Sequence, residues 1–209
     1  MIIEILKSTS RWEQYTRHKF VRMMKEGSLP LSAFRYYIIQ DSKYVEEMNR
    51  ASLKAASVAP DIDEAIEFIN KMFSASDKGK EVHGKIYNLL KISQEEIKRT
   101  PINDVNYAYT RHLHYWADKD WYKYLVALTP CMLGYLEIGI FVKDSANPIY
   151  KEWAEFYASD VYKEKVDTII KILNKINIKA QSEIDEYIDI FRRSVNYEID
   201  FWDSGLANA

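Results

Sequence analysis

The sequence predicts an all-α fold, a bundle of about seven to nine helices forming one domain over residues 1–209. Three observations carry this reading. Glycine (6) and proline (5) are scarce and fall mostly at plausible breaks, which is how helices joined by short loops are punctuated. Apolar residues recur in steps of three and four, the period of a helix with one buried face. No stretch shows the alternation of a half-buried strand.

The breaks follow in order. Gly27-Ser28-Leu29-Pro30 separates a first helix from a second, and Ala59-Pro60-Asp61 ends the second. A third segment runs over residues 62–91, with an interruption expected at Ser76-Asp77-Lys78-Gly79. Ser93, with Glu96 three residues on, forms a capping box for a short helix. Thr100-Pro101 and Asn147-Pro148 each set a capping residue before a proline at a first helical position. Asp118-Lys119-Asp120 reads as a turn that caps the next helix, and Ser182 with Asp185 is expected to cap the last one. Pro130 lies inside a helix. There it leaves the Val126 carbonyl without its usual donor and is expected to bend the axis and open space beside Cys131.

Composition narrows the function. Hydrophobic residues make up 47% and aromatics 14% of the 209, enough for a large core and too apolar for a disordered chain. A formal net charge of −2 gives no field to draw in nucleic acid or an anionic membrane. No stretch is expected to approach the roughly 20 apolar residues of a membrane span. Glu4 interrupts the apolar start, so a signal peptide is not expected. One cysteine cannot form an internal disulfide, and a reducing, cytoplasmic location is expected.

Helical spacing then places polar residues on inward faces. Phe34, Ile38, Asp41, Val45 and Met48 form one stripe, flanked by Tyr37 and Tyr44. Ile184, Tyr187, Ile188, Phe191, Val195, Glu198 and Trp202 form another. A third holds Tyr124, Leu128, Cys131, Tyr135 and Ile138, and a fourth Ile102, Val105, Tyr109, His112 and Trp116. A buried carboxylate costs several kcal/mol unless it is paired or hydrogen-bonded. Asp41 and Glu198 are therefore either structural acids with cationic or tyrosine partners, or parts of a polar pocket. Cys131 is either an inert core thiol or a nucleophile.

Five segments run in order along the chain: 29–44 (LPLSAFRYYIIQDSKY), 107–112 (YAYTRH), 129–137 (TPCMLGYLE), 147–157 (NPIYKEWAEFY) and 197–202 (YEIDFW). Together they resemble the TenA family, also called thiaminase II, in its cysteine-containing class, over nearly the whole chain. The resemblance implies a haem-oxygenase-like helical fold around a deep pocket and hydrolysis of an aminopyrimidine in thiamin salvage. It places Cys131 as nucleophile and Glu198 as acid/base. Asp41 would grip the pyrimidine's amino and ring nitrogens, and Tyr44, Tyr109, Tyr135, Tyr157 and Phe201 would line the pocket. It also implies a homotetramer, with no cofactor and no metal.

The residue types suit that chemistry. Aromatic rings stack on a flat heterocycle, carboxyls match its donor and acceptor edge, and a buried Glu stays protonated for use as an acid. Other readings remain. His18 on the first helix stands where haem-binding relatives of the fold place their axial ligand. A diiron centre would need Glu-x-x-His pairs from facing helices, and the sequence holds none. A non-catalytic pyrimidine-binding module would use the same pocket without needing Cys131 or Glu198.

Overall fold

The computed structural model describes residues 2–74, 76–178 and 180–209. Among them the chain forms twelve helical segments and no strand. The stretch read as one first helix is three short ones: α1 (Ile2–Ser8), α2 (Trp12–Thr16) and α3 (Lys19–Glu26). Hydroxyls cause the first break. Ser8 and Thr9 donate back to the Ile5 carbonyl, and Ser10 to that of Lys7, so the turn closes on itself. His18 caps α3 by accepting from the Phe20 amide.

The long α4 (Leu31–Ala56) is followed by α5 (Ile62–Phe73), α6 (Ser76–Leu89) and α7 (Gln94–Arg99). Asp61 caps α5 through the Asp63 and Glu64 amides, and Ser93 caps α7 through Glu96. The break between α5 and α6 precedes Ser76 rather than spanning 76–79, and residue 75 lies outside the described residues. Thr100-Pro101 does not open a helix. Thr100 ends α7, its hydroxyl donating to the Glu96 carbonyl, and Asn103 caps α8 (Asp104–Lys119) through the Asn106 amide.

Asp120 ends α8 and caps α9 (Trp121–Val142) through Lys123. Asn147 and Pro148 open α10 (Pro148–Tyr157) as read, followed by α11 (Asp160–Leu173) and α12 (Gln181–Ala207). Ser182 does not cap α12. It already sits inside the first turn, and Ala180 at the cap position makes no side-chain bond.

The bundle is organised around α9, which packs against α8, α10, α11 and α12, while α4 packs against α8, α12 and α5. Nearly every residue of α9 is buried, including both sides of the uninterrupted turn at Pro130. A helix that is apolar all round belongs at a centre. This corrects one expectation: α9, 22 residues long, is apolar enough by composition to cross a membrane, with a mean hydropathy of 1.9 over its most apolar stretch, yet 83% of that stretch is buried within the fold. Two glycines let neighbours approach it. A β-carbon at Gly134 would stand 2.2 Å from the Tyr15 ring, and one at Gly139 would stand 2.8 Å from the Ala158 amide and from the Tyr157 β-carbon. These contacts press Tyr15 and Tyr157 onto the face of α9 that carries Cys131 and Tyr135.

Candidate active site

The α9 stripe is buried as the sequence predicts, those of α4 and α12 are buried except at the half-buried Val45 and Ile188, and Asp41, Cys131 and Glu198 are all buried. On α8 the inward face is rotated by about one residue. Asn106, Tyr109, Thr110, Leu113 and Ala117 are buried, whereas Val105, His112 and Trp116 are only half-buried. Asn106 explains the turn: its side-chain amide donates to the Gln40 carbonyl of α4 at 2.8 Å, tying α8 down at that point. Tyr109 belongs to both faces.

A cavity of about 530 Å³ opens between α4, α6, α9, α10 and α11. Of the eight residues singled out from the sequence, Asp41, Tyr44, Cys131, Tyr135 and Tyr157 line it. Glu198, Tyr109 and Phe201 stand behind this lining. The Tyr109 hydroxyl donates to Glu198 Oε1 at 2.9 Å. The Tyr109 and Tyr44 rings pack at 4.9 Å, and Phe201 meets Tyr44 edge-on at 6.2 Å. Tyr135 is held by the Tyr37 hydroxyl at 3.4 Å and by Trp202, stacked at 5.7 Å, while Tyr157 leans on it at 5.0 Å.

Among the described residues no cation answers the two acids. Asp41 Oδ2 is buried without a hydrogen-bond partner, and burial pushes the Asp41 pKa up to about 7. Glu198 is pushed up to about 8, mainly by burial and further by the Asp41 charge, against the pull of the Tyr109 and Tyr15 hydroxyls. Burial, then the charge of Glu198, raises the Cys131 thiol well above its ordinary value. The Tyr44 hydroxyl makes no full hydrogen bond but lies beside the thiol and partly offsets that rise. In the free protein near neutral pH, Cys131 is therefore a thiol, Glu198 is mostly protonated and Asp41 is divided between its two forms. Desolvation dominates each shift, and the three groups share one electrostatic neighbourhood.

Sequence reasoning missed Tyr15 and Tyr162. Tyr15 donates to the Pro130 carbonyl at 3.2 Å and feels the charges of Glu198 and Cys131. Its five-residue helix is too short to show a period, but Gly134, buried mid-helix, marks the close approach that Tyr15 fills. Tyr162 lines the cavity beside Met132, its hydroxyl 3.7 Å from the sulfur. The spacing Tyr162, Val166, Ile169 on α11 was the available signal. His18 takes no part: its Nδ1 accepts from Phe20 and its Nε2 stands 3.1 Å from Asp203. Among the described residues no group of three or more His, Cys, Asp or Glu is arranged to hold a metal ion.

An all-helical bundle with a thiol and an acid lining a cavity, and a second buried acid behind them, is the arrangement of the TenA-like class. The chain belongs to the TENA/THI-4/PQQC family, whose model matches residues 7–208. It is similar to a TenA-like protein from Sulfolobus solfataricus P2 named as a thiaminase. That structure shows 47% identity and a TM-score of 0.89, covering 99% of this chain and 94% of that one. The aminopyrimidine aminohydrolase of Bacillus subtilis is 28% identical over 91% of this chain and 83% of its own length. That of Helicobacter pylori is 28% identical over 93% and 92%.

Proposed function

We propose that the protein is an aminopyrimidine aminohydrolase, a hydrolase acting on a C–N bond in thiamin salvage. It converts 4-amino-5-aminomethyl-2-methylpyrimidine and water to 4-amino-5-hydroxymethyl-2-methylpyrimidine and ammonia, and accepts thiamin as a second substrate. The observation that carries this reading is that Cys131 and Asp41 line one aromatic-walled cavity, with Glu198 behind that lining and in the same electrostatic neighbourhood, in a chain of this family.

The pyrimidine stacks among Tyr44, Tyr135 and Tyr157, and Asp41 Oδ2, lacking a protein partner, accepts from the exocyclic amine. A buried acid keeps an unfilled acceptor at a cost, which a bound N–H offsets. The thiol is not ionised at rest, so activation is coupled to binding. A protonated aminomethyl group or a thiazolium brings positive charge beside Asp41 and Glu198, lowers their pKa values and allows a carboxylate to take the Cys131 proton. Sulfur adds to an electron-poor ring carbon while Glu198 delivers a proton to the ring. The adduct releases the amine from the methylene carbon, water adds there, and expulsion of the thiolate restores the ring. One C–N bond is exchanged for one C–O bond with no change in oxidation level.

The test is turnover of the aminomethyl pyrimidine, following ammonia and the hydroxymethyl product in equal amounts. Cys131→Ser is expected to lose more than about 10³-fold in kcat while still binding the product pyrimidine. A fully active Cys131→Ser enzyme removes the nucleophile assignment, and a wild type that binds but never turns over makes the protein a binding module.

A further inference from the structure

The cavity is longer than one pyrimidine ring. Its wall on α4 runs from Asp41 to Asn49, about 12 Å at the helical rise. On α6 it is faced by Gly84, where an added β-carbon would meet no atom within 4 Å. A glycine inside a helix is destabilising relative to alanine, and no packed neighbour requires this one. The room it leaves belongs to the cavity.

Lys165 of α11 lines the same space, one turn beyond Tyr162. The other lysines of α11 answer acids, Lys163 pairing with Asp167 and Lys171 with Glu67. Lys165 is different: half-buried, it donates to the Met72 carbonyl at 2.8 Å and has no carboxylate partner among the described residues. An ammonium carries three donors, so two remain. Besides the Cys131 thiol and the tyrosine hydroxyls, the other acidic and basic side chains lining the cavity are Asp41, Glu46, Lys80 and His83. Glu46 is engaged by Arg50 at 2.8 Å. Burial lowers the Lys165 pKa, and its bond to the Met72 carbonyl holds the ammonium at the end of α5 rather than against Asp41 or Glu198.

We propose that the outer part of the cavity is an anion subsite in which Lys165 recognises a phosphate on the tail of the leaving group. This deepens the aminopyrimidine reading and rests on it. The substrate class it selects is an aminopyrimidine joined through its methylene to an azolium that ends in a phosphate ester. Hydrolysis breaks the methylene C–N bond, the azolium nitrogen keeps the electron pair and leaves as a neutral azole, water supplies the hydroxyl and one proton is released. The phosphate ester is untouched.

The probes are thiamin monophosphate, thiamin and the aminomethyl pyrimidine, assayed with wild type, Lys165→Met and Lys165→Arg. Wild type is expected to favour the monophosphate over thiamin by roughly tenfold or more in kcat/KM, the reach of one charged hydrogen bond. Lys165→Met should abolish that preference through KM, with aminomethyl pyrimidine turnover within about twofold; Lys165→Arg should keep most of it. Calorimetric Kd values for thiamin and its monophosphate, measured on wild type and Lys165→Met, supply a readout independent of catalysis. A monophosphate preference absent from wild type, or unchanged in Lys165→Met, overturns the subsite. An affinity ratio that depends on Lys165 in a protein that turns nothing over supports the subsite and breaks the catalytic reading alone.

Discussion

Glu64 and Asp41 are both buried acids, and the bundle treats them in opposite ways. Glu64, on α5, accepts from the Trp121 indole at 2.9 Å and pairs with the Lys175 ammonium at 3.0 Å. Lys175 is itself 51% exposed, so its charge stays hydrated. Asp41 has an oxygen with no partner, and Glu198 has tyrosine hydroxyls but no cation. Trp121 and Cys131 are ten residues apart on α9, about 15 Å along the axis. Within that distance one acid has both a hydrogen bond and a cation, whereas Glu198 has only hydroxyl partners and one oxygen of Asp41 has none. Burial alone does not mark a candidate functional acid; burial without a cation is the sharper signal.

The largest expected effect separates the two kinds. Glu198→Gln should cut kcat by roughly 10²–10⁴-fold, the range for losing a general acid, without loss of thermal stability at pH 8. Glu64→Gln should leave kcat within about twofold and lower stability by about 1–3 kcal/mol. Steady-state kinetics beside thermal melts read both, and similar behaviour of the two variants would erase the contrast.

The next effect is on stability against pH. Asp41 and Glu198 have folded values of about 7 and 8 against ordinary values of 3.8 and 4.5. The folded state thus holds protons that the unfolded chain has released. The stabilisation is complete below about pH 4 and is lost as pH rises through 7 to 8, by several kcal/mol in total. The melting temperature should fall between pH 5 and 8.5, and the double variant Asp41→Asn, Glu198→Gln should flatten that slope. A slope retained in the double variant would place the titration elsewhere.

Smaller effects probe the supports. Gly134→Ala drives a methyl into the Tyr15 ring and should cost about 1–3 kcal/mol, with kcat reduced because Tyr15 moves from Glu198; chemical denaturation and kinetics on the same sample check this. Tyr109→Phe removes the donor that holds the Glu198 pKa down. The limb of the pH–rate profile set by Glu198 should move to higher pH, with a loss of roughly tenfold in kcat. An unmoved limb would detach Glu198 from that titration.

Much of this was legible in the chain. Helical spacing alone put Asp41, Cys131 and Glu198 on buried faces, because a stripe that is otherwise apolar exposes a polar residue that interrupts it. What spacing could not supply was the company each acid keeps. Glu64 lies 57 residues from its indole and 111 from its lysine, and only the fold reveals that it is paired. Tyr15 escaped because α2 is shorter than two turns. The capping role given to Thr100 failed for a local reason: a hydroxyl that closes one helix looks, in sequence, like one that opens the next. The face of α8 was misjudged by one residue because its inward side carries Asn106 and Thr110, polar residues that an apolar period does not pick out.

The hydropathy of α9 carries a consequence for how the molecule is made. This helix leaves the ribosome about sixty residues before the end of α12, one of the neighbours that covers it, so for several seconds of synthesis the most lipid-like segment of the chain is without that cover. Expression should accordingly depend on holding chaperones more than the melting temperature of the finished protein suggests. Clipping within α12 would uncover that segment and remove Glu198 in a single cut, so loss of catalysis and onset of aggregation should arrive together.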